Sequence, residues 1–497
     1  MAEAPNFLKG AAEKYTFYGS PTVAPLLIDA RNLRNSAVSP ARTVSVHPSA
    51  EDATQAALPL SEIIGALSHA LDLTEGQPEG HCIRCCWIGT AIGRELGMPT
   101  DDLGELYYVL LLKDVGCSSN AARISALYQT DDLTFKHDAK ITGLSALALL
   151  RFVVTHTAPN ASPLERARKL LAALPQTPRV AREVTVTRCE RGADIARRLR
   201  FPERVANGIR DLDEHWDGRG FPAGRAGDAI PLYAQIALLA QVVDVFNTSF
   251  GRPATRKEII RRSGSWFDPA LVAAFTRAQG RPGFWEGLAS PQLTVTVLEQ
   301  APAQVARPAD DDFLDDIAAA FAEVVDSKSP FTSGHSSRVA ELTDLIAGEL
   351  GFTAARRRWL VRGALLHDIG KLGISSRILD KPGALDAAEW LAMQSHAALT
   401  ERLLARISAF GELAVVAGAH HERLDGKGYP RGLHGDQITI ETRVLTTADI
   451  FDALTADRPY RKAVSETRAL EIMAGEVGTA IDPTCFAALR AALAKQS

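Results

Sequence analysis

Two histidines stand side by side in Ala419-His420-His421-Glu422, ahead of a polar, glycine-rich turn that contains Tyr429-Pro430. One histidine is usually packing or surface, but an adjacent pair before a rigid polar turn points to a metal ion with a substrate held over it. The rest of the chain must then supply further ligands, and five residues qualify. His335 is in phase with Val339, Leu342 and Ile346, and His367 and Asp368 end the apolar run RGALLHD. His396 is in phase with Met393, Leu403 and Ile407, His420 follows Leu413, Val416 and Ala417, and Asp449 lies in phase with Leu445 and Asp452. Each interrupts a helical face that should point into a core. A lone inward histidine is most often a hydrogen-bonded core residue. Seven such side chains packed together without countercharge are costly, and divalent cations remove that cost. Imidazoles at 335, 367, 396, 420 and 421 with carboxylates at 368 and 449, one of them bridging, suit two metals better than one. This donor set favours iron, manganese or zinc over calcium or magnesium.

The elements that must position these residues are helices. Helical phasing dominates from Leu58 onward, with only scattered strand-like pieces such as LTVTVL at 293–298, so the expected class is all-α. Residues 1–57, rich in Pro, Ser and Ala, read as a poorly ordered leader, and 301–312 as a linker. With 497 residues the chain exceeds one hydrophobic core, so two or three domains are expected. An internal repeat supplies them. EGHCIRCCWIGTAIGRELGM (79–98) matches SGHSSRVAELTDLIAGELGF (333–352), and LLLKDVG (110–116) matches ALLHDIG (364–370). DEHWDGRGFPAGRAGDAIPL (213–232) mirrors HERLDGKGYPRGLHGDQITI (421–440) without a gap. The chain is therefore two tandem helical bundles, 58–300 and 313–497. The first carries about 46 extra residues after its KDVG.

Taken together, HDIGK (367–371), His396, HHERLDGKGYP (420–430), ADIFDALTADRPYR (448–461) and TSGH (332–335) resemble the HD-GYP family. This is the branch of HD metal-dependent phosphohydrolases that cleaves cyclic di-GMP. The resemblance spans 313–497 and rests on the combination. An HD pair alone is weak, and His137-Asp138, with polar flanks, reads as a surface accident. The resemblance implies that His335, His367, Asp368 and Asp449 ligate one metal and His396, His420 and His421 the second, with Asp368 bridging. It implies two divalent ions, iron or manganese, with Glu341 a weak candidate for a third site. It gives Asp368 and Lys371 catalytic roles, Lys371 touching substrate phosphate, and sets Arg458 and Arg461 against phosphate and guanine. Tyr429 would wall the site, on a loop that in relatives meets diguanylate cyclase (GGDEF) domains. The plain alternative for Lys371, Arg458 and Arg461 is solvated surface charge. Asp425, Gly426 and Gly428 read as turn chemistry, and Asp452 either orients a ligand or caps locally.

The expected activity is hydrolysis of cyclic di-GMP to linear pGpG or GMP in bacterial signalling, by an acidified water with no Ser or Cys nucleophile. Three alternatives stay open. The chain acts on another cyclic dinucleotide or nucleotide, is a di-iron oxygenase on the same scaffold, or is an adaptor that binds cyclic di-GMP without useful turnover.

The first repeat is an internal control. In place of the seven ligands it has His81, Lys113, Asp114, Arg188, Leu212, Asp213 and Gln241, with Cys117 where Lys371 stands. Fixed cations beside Asp114 and Asp213 would replace metals electrostatically, which implies a retained fold without this chemistry. His81 and Cys85 lie one turn apart, so a thiolate-metal or redox site is an alternative, against the commoner reading of small core cysteines. Composition adds limits. Net charge is −4, which favours neither nucleic acid nor a membrane surface, and no apolar run approaches the length of a span. The start MAEAPNFLKG shows no secretory signal, and six cysteines make no disulfide framework, so the expected compartment is the cytoplasm. A homodimer is compatible with this organisation.

Overall fold

The computed structural model describes residues 58–142, 146–301 and 308–496. The leader expected over 1–57, and half of the expected linker (302–307), lie outside these residues. Apart from the short antiparallel pairing of β1 (Leu58–Pro59) with β2 (Pro308–Ala309), the regular elements described are helices. The first repeat opens with α1 (Leu60–Thr74), α2 (His81–Glu95) and α3 (Thr100–Leu112). Its extra segment follows as α4 (Ala121–Tyr128), α5 (Asp132–Ile141), α6 (Ala146–His156) and α7 (Pro163–Ala173). Then come α8 (Thr177–Arg198), α9 (Glu203–Arg210), α10 (Leu232–Arg262), α11 (Pro269–Gln279), α12 (Phe284–Leu288) and α13 (Leu293–Glu299). The second repeat runs α14 (Asp311–Asp326), α15 (His335–Glu349), α16 (Ala354–Leu366), α17 (Ser376–Leu379), α18 (Ala387–Leu404) and α19 (Gly411–Gly418). It ends with α20 (Ile440–Thr455), α21 (Glu466–Ala474) and α22 (Pro483–Gln496).

The same local signals start equivalent helices in both repeats. Gly80 and Gly334 sit at φ +85 and +68 immediately before α2 and α15, where a side chain would be strained. Asp72 accepts the amides of Gly80 and Cys82 in the first repeat, and Asp326 accepts the amide and hydroxyl of Ser336 in the second. One expectation fails locally. The strand-like piece at 293–298 is helix α13, because Leu293 and Val297, one turn apart, bury against the core and override the β-preference of its Thr and Val residues.

The two repeats do not pack as separate bundles. One core runs from Leu60 through Val297 to Phe313, Leu366, Leu404 and Ala417, and a second gathers around Val339, Val444 and Leu489. Helix α1 packs on α18 and on the 3-10 turn Ile369–Gly373, while α14 packs on α8 and the matching turn Cys117–Asn120. Polar bonds cross the seam. Ser118 Oγ meets Ser327 Oγ at 2.7 Å, and Asp132 Oδ1 accepts the Ser376 amide at 2.7 Å. Lys328, fully buried, donates to the Leu372 carbonyl at 2.6 Å and lies 3.8 Å from Asp132. The first repeat is thus bolted to the turn that carries Lys371. No helix among the described residues is long and apolar enough to cross a membrane.

Candidate metal centre

All seven sequence-predicted ligands converge in the second repeat. His335 opens α15, His367 caps the end of α16, and Asp368 follows it. His396 lies on α18, His420 and His421 follow α19, and Asp449 lies on α20. Asp368 is at the centre. Its Oδ2 is 3.4 Å from the Nε2 of both His335 and His367, and its Oδ1 is 3.5 Å from His396 Nε2 and 3.7 Å from His420 Nε2. Asp449 Oδ1 is 3.4 Å from His335 Nε2 and 3.9 Å from His367 Nε2. His421 Nε2 reaches His396 Nε2 at 3.1 Å. The two carboxylate oxygens of Asp368 therefore face two different sets of imidazoles.

Four of the imidazoles are held through Nδ1, with Nε2 turned toward Asp368. His367, His396 and His420 each donate Nδ1–H to the carbonyl three residues earlier, at Ala364, Met393 and Ala417, over 2.5–2.6 Å. A carbonyl only accepts, so Nδ1 carries the proton and the Nε2 lone pair points inward. His335 Nδ1 is held by Asp452 Oδ2 at 2.6 Å, and Arg338 Nε steadies Asp452 at 2.5 Å. Asp452 therefore orients His335. Burial alone would push its carboxyl above the usual carboxylate range, but the bonds from His335 and Arg338 outweigh it and hold the carboxyl down to about 2.

Charge follows the same geometry. Burial pushes His396 down to about 4 and His420 to about 3, so both stay neutral ligands. At His367 burial opposes protonation, but Asp368 and Asp449 outweigh it and raise the ring to about 9, so these carboxylates favour a cation at its Nε2, whether a proton or a metal ion. Three buried atoms of the cluster, His335 Nε2, His367 Nε2 and Asp368 Oδ1, have no hydrogen-bond partner among the described residues. Buried lone pairs that converge without donors are what a cation satisfies. The residues fit a divalent metal centre.

Around it, Thr400 donates to the His367 carbonyl at 2.9 Å and accepts the Gly370 amide at 3.0 Å, and Thr446 holds the His420 carbonyl at 2.8 Å. These threonines are not legible as site residues from spacing alone. Gly370 is: a Cβ there would stand 2.0 Å from the His396 carbonyl, and the equivalent Gly116 would meet Arg188 at the same distance. Glycine in both repeats is the signal that this turn abuts the next helix.

Lys371 pairs with Asp368, at the mouth of the cluster. The Tyr429 ring is largely buried, 4.8 Å from the His421 ring and 6.3 Å from that of His396, so it walls the outer histidines. Arg461 corrects an expectation. Its two terminal nitrogens donate to the carbonyls of Ala453, Leu454 and Lys462, so it caps the end of α20 and does not reach toward the cluster as a free guanidinium. Arg458 is joined to Arg461 through the backbone, and its half-buried side chain has no hydrogen bond to the cluster among the described residues. Glu341 is exposed and apart from the cluster. His137 and Asp138 pair with each other, and Asp138 also with His156, away from either centre.

In the first repeat the orienting shell survives and the centre differs. His81 Nδ1 meets Asp244 at 2.6 Å and Arg84 steadies Asp244 at 2.7 Å, matching His335, Asp452 and Arg338. At the centre, however, Lys113 Nζ contacts Asp114, His81 Nε2 at 2.9 Å and Gln241 Oε1 at 3.2 Å. Arg188 pairs with Asp213, and Lys140 from α5 pairs with Glu75 at 2.7 Å. Lys113 occupies the position of His367, and its ammonium contacts the counterparts of His335, Asp368 and Asp449. Burial pushes the thiols of Cys82, Cys85 and Cys117 up, so they are neutral at physiological pH and unlike thiolate ligands.

Residues 176–271 and 319–485 match the model of the HD domain. The chain belongs to the HD domain family. Both matched segments carry the repeat, and the motifs of the second place it in the HD-GYP branch. Over 439 residues the chain is 54% identical to the 3'3'-cGAMP-specific phosphodiesterase 3 of Vibrio cholerae serotype O1, covering 88% of this chain and 95% of that one. A crystal structure of a cyclic GMP-AMP-specific phosphodiesterase of V. cholerae (V-cGAP3) superposes with a TM-score of 0.62 at 49% identity, over 88% of this chain and 98% of that one. The cyclic di-GMP phosphodiesterase response regulator RpfG of Xanthomonas campestris pv. campestris is 37% identical over 172 residues, 34% of this chain and 45% of that one.

Proposed function

We propose that this HD-domain protein is a divalent-metal-dependent phosphodiesterase of cyclic dinucleotides, with 3'3'-cyclic GMP-AMP as preferred substrate and its chemistry confined to the second repeat. The observation that carries the reaction class is the convergence of four Nε2 atoms on the Asp368 carboxylate, with His335 Nε2, His367 Nε2 and Asp368 Oδ1 unpartnered among the described residues. The substrate preference is supported by the relative that is 54% identical through both repeats.

His335, His367, Asp368 and Asp449 would hold one ion and His396, His420 and His421 the other, with Asp368 shared; iron or manganese suits these donors. Such ions supply Lewis acidity toward a phosphodiester and acidify water toward neutral pH. The chain's own residues do the rest. The Nδ1 bonds fix each imidazole's tautomer and direction, and burial keeps His396 and His420 unprotonated. Lys371, which leans on Asp368, presents a positive charge to a phosphoryl oxygen. Water adds to phosphorus, one P–O ester bond breaks, the proton goes to the leaving oxygen, and a linear dinucleotide results.

Cyclic di-GMP is the second reading, since relatives that match about a third of this chain carry that substrate in their names. Turnover by the full chain with manganese or ferrous iron separates the two. A kcat/KM at least tenfold higher for 3'3'-cyclic GMP-AMP, abolished in Asp368→Asn, supports the proposal. Preference for cyclic di-GMP would replace the substrate, and hydrolysis of neither would end the reading.

A further inference from the structure

A cleft of about 440 Å³ opens on the seam between the repeats. One wall is α4 of the first repeat, with Ser125 and Gln129; the other is the second repeat, with Phe331, Ser376, Arg377 and Lys381. We infer that this cleft is the subsite for one purine base of the cyclic dinucleotide, so that the first repeat, though its own centre is filled by Lys113, builds part of the substrate site. The inference rests on the proposed phosphodiesterase activity.

Position supports it. Phe331 stands four residues before His335, and Ser376 follows the turn that carries Lys371. Glu389, also on the lining, precedes His396 on α18 by two helical turns, which puts it on the same face and about 10 Å from that ligand at 1.5 Å per residue. A cyclic dinucleotide with one phosphodiester at the metal centre extends a purine outward by a span of this order.

The lining has the chemistry of a base site. Phe331, half-buried, offers a ring face for stacking. Gln129, exposed at the end of α4, offers donor and acceptor on one amide, as a purine edge requires. The guanidinium of Arg377 is exposed and has no hydrogen bond or ion pair among the described residues. Ser376 is fully buried, yet its hydroxyl has no partner among the described residues. Such a hydroxyl calls for one, and a ligand in the cleft would supply it. The wall is also rigidly placed, because Asp132, just beyond α4, accepts the Ser376 amide.

The test uses the full chain and compares 3'3'-cyclic GMP-AMP with bis(p-nitrophenyl) phosphate, a diester without bases. Ser125→Trp, which fills the cleft, and Gln129→Ala should each lower kcat/KM for the dinucleotide at least tenfold relative to the base-free diester, mainly through KM. Equal losses on both substrates, or no change in their ratio, would overturn the subsite while leaving the activity in place. An 8-azidoadenine analogue of cyclic GMP-AMP, photolysed on the wild-type chain, should label peptides from 122–129 or 376–389. Label confined to other peptides overturns the inference even where a variant fails to fold. A wild-type chain that cleaves the simple diester but no cyclic dinucleotide refutes the proposed function itself, and the subsite with it.

Discussion

Lys113→Met perturbs the position at which the first repeat puts an ammonium where the second has His367. The Lys113 side chain is fully buried, and its ammonium is shared by Asp114, His81 Nε2 at 2.9 Å and Gln241 Oε1 at 3.2 Å. Burial works against its charge, but Asp114 outweighs burial and holds the ammonium well above the usual lysine range. Removing one partner of a buried ion pair costs about 3–5 kcal/mol, because the other charge is left uncompensated. Asp114 would retain Lys140 at 3.8 Å, which puts the expected loss at the lower end, about 3 kcal/mol. Removing both charges in Lys113→Met/Asp114→Leu should recover most of it, to within about 1 kcal/mol of wild type. Urea unfolding of the full chain, followed by tryptophan fluorescence and by circular dichroism, measures both variants. A single variant as stable as wild type, or a double variant as damaged as the single, would refute the reading of Lys113 as the countercharge of the first centre.

Three further outcomes are expected. Asp452→Asn keeps the shape but removes the anion that orients His335, and should weaken manganese binding about 10–100-fold in a chelator competition, with the fold intact by circular dichroism. Gly370→Ala would drive a methyl to 2.0 Å from the His396 carbonyl, displacing α18 from the HD turn; loss of about 100-fold in kcat is expected, since misplacement of about 1 Å suffices. His69, buried at the seam and pushed down to about 4 by burial and then by Arg406, takes up a proton in the unfolded chain near 6.5 but not in the folded one. Stability should therefore fall as pH drops from about 6.5 to 4, by about 3 kcal/mol from this group, and His69→Gln should flatten that slope in pH-dependent unfolding.

The ligand set was legible because helical phase and the gapless repeat are local properties. His335, His367, His396 and Asp449 each break an apolar face, and each has a counterpart of another type in the first repeat, except His335, which faces His81. The partners that orient them were half visible: Asp452 was in phase with Asp449, but nothing in spacing says that it meets His335 117 residues away. Arg461 misled because a basic residue near a ligand reads as a phosphate contact, whereas the end of α20 needs donors for its carbonyls and takes it first. The seam was also hidden. Leu60 and Phe321 read as core of their own repeats, and only the fold shows that α1 and α14 each pack on the other repeat's turn. Lys136 and Lys140 lie in the extra segment, which has no copy to compare, so their entry into the first centre had no signal in the repeat.

The central claim is that the second repeat gathers its side chains around two metal ions and the first gathers its own around Lys113. Elemental analysis of the full chain, reconstituted with manganese and dialysed, tests this most directly when Asp368→Ala and His81→Ala are measured beside the wild type. Two ions per chain are predicted for wild type and for His81→Ala, and less than one for Asp368→Ala. Wild type without metal, or metal that survives Asp368→Ala and departs with His81→Ala, would contradict the account.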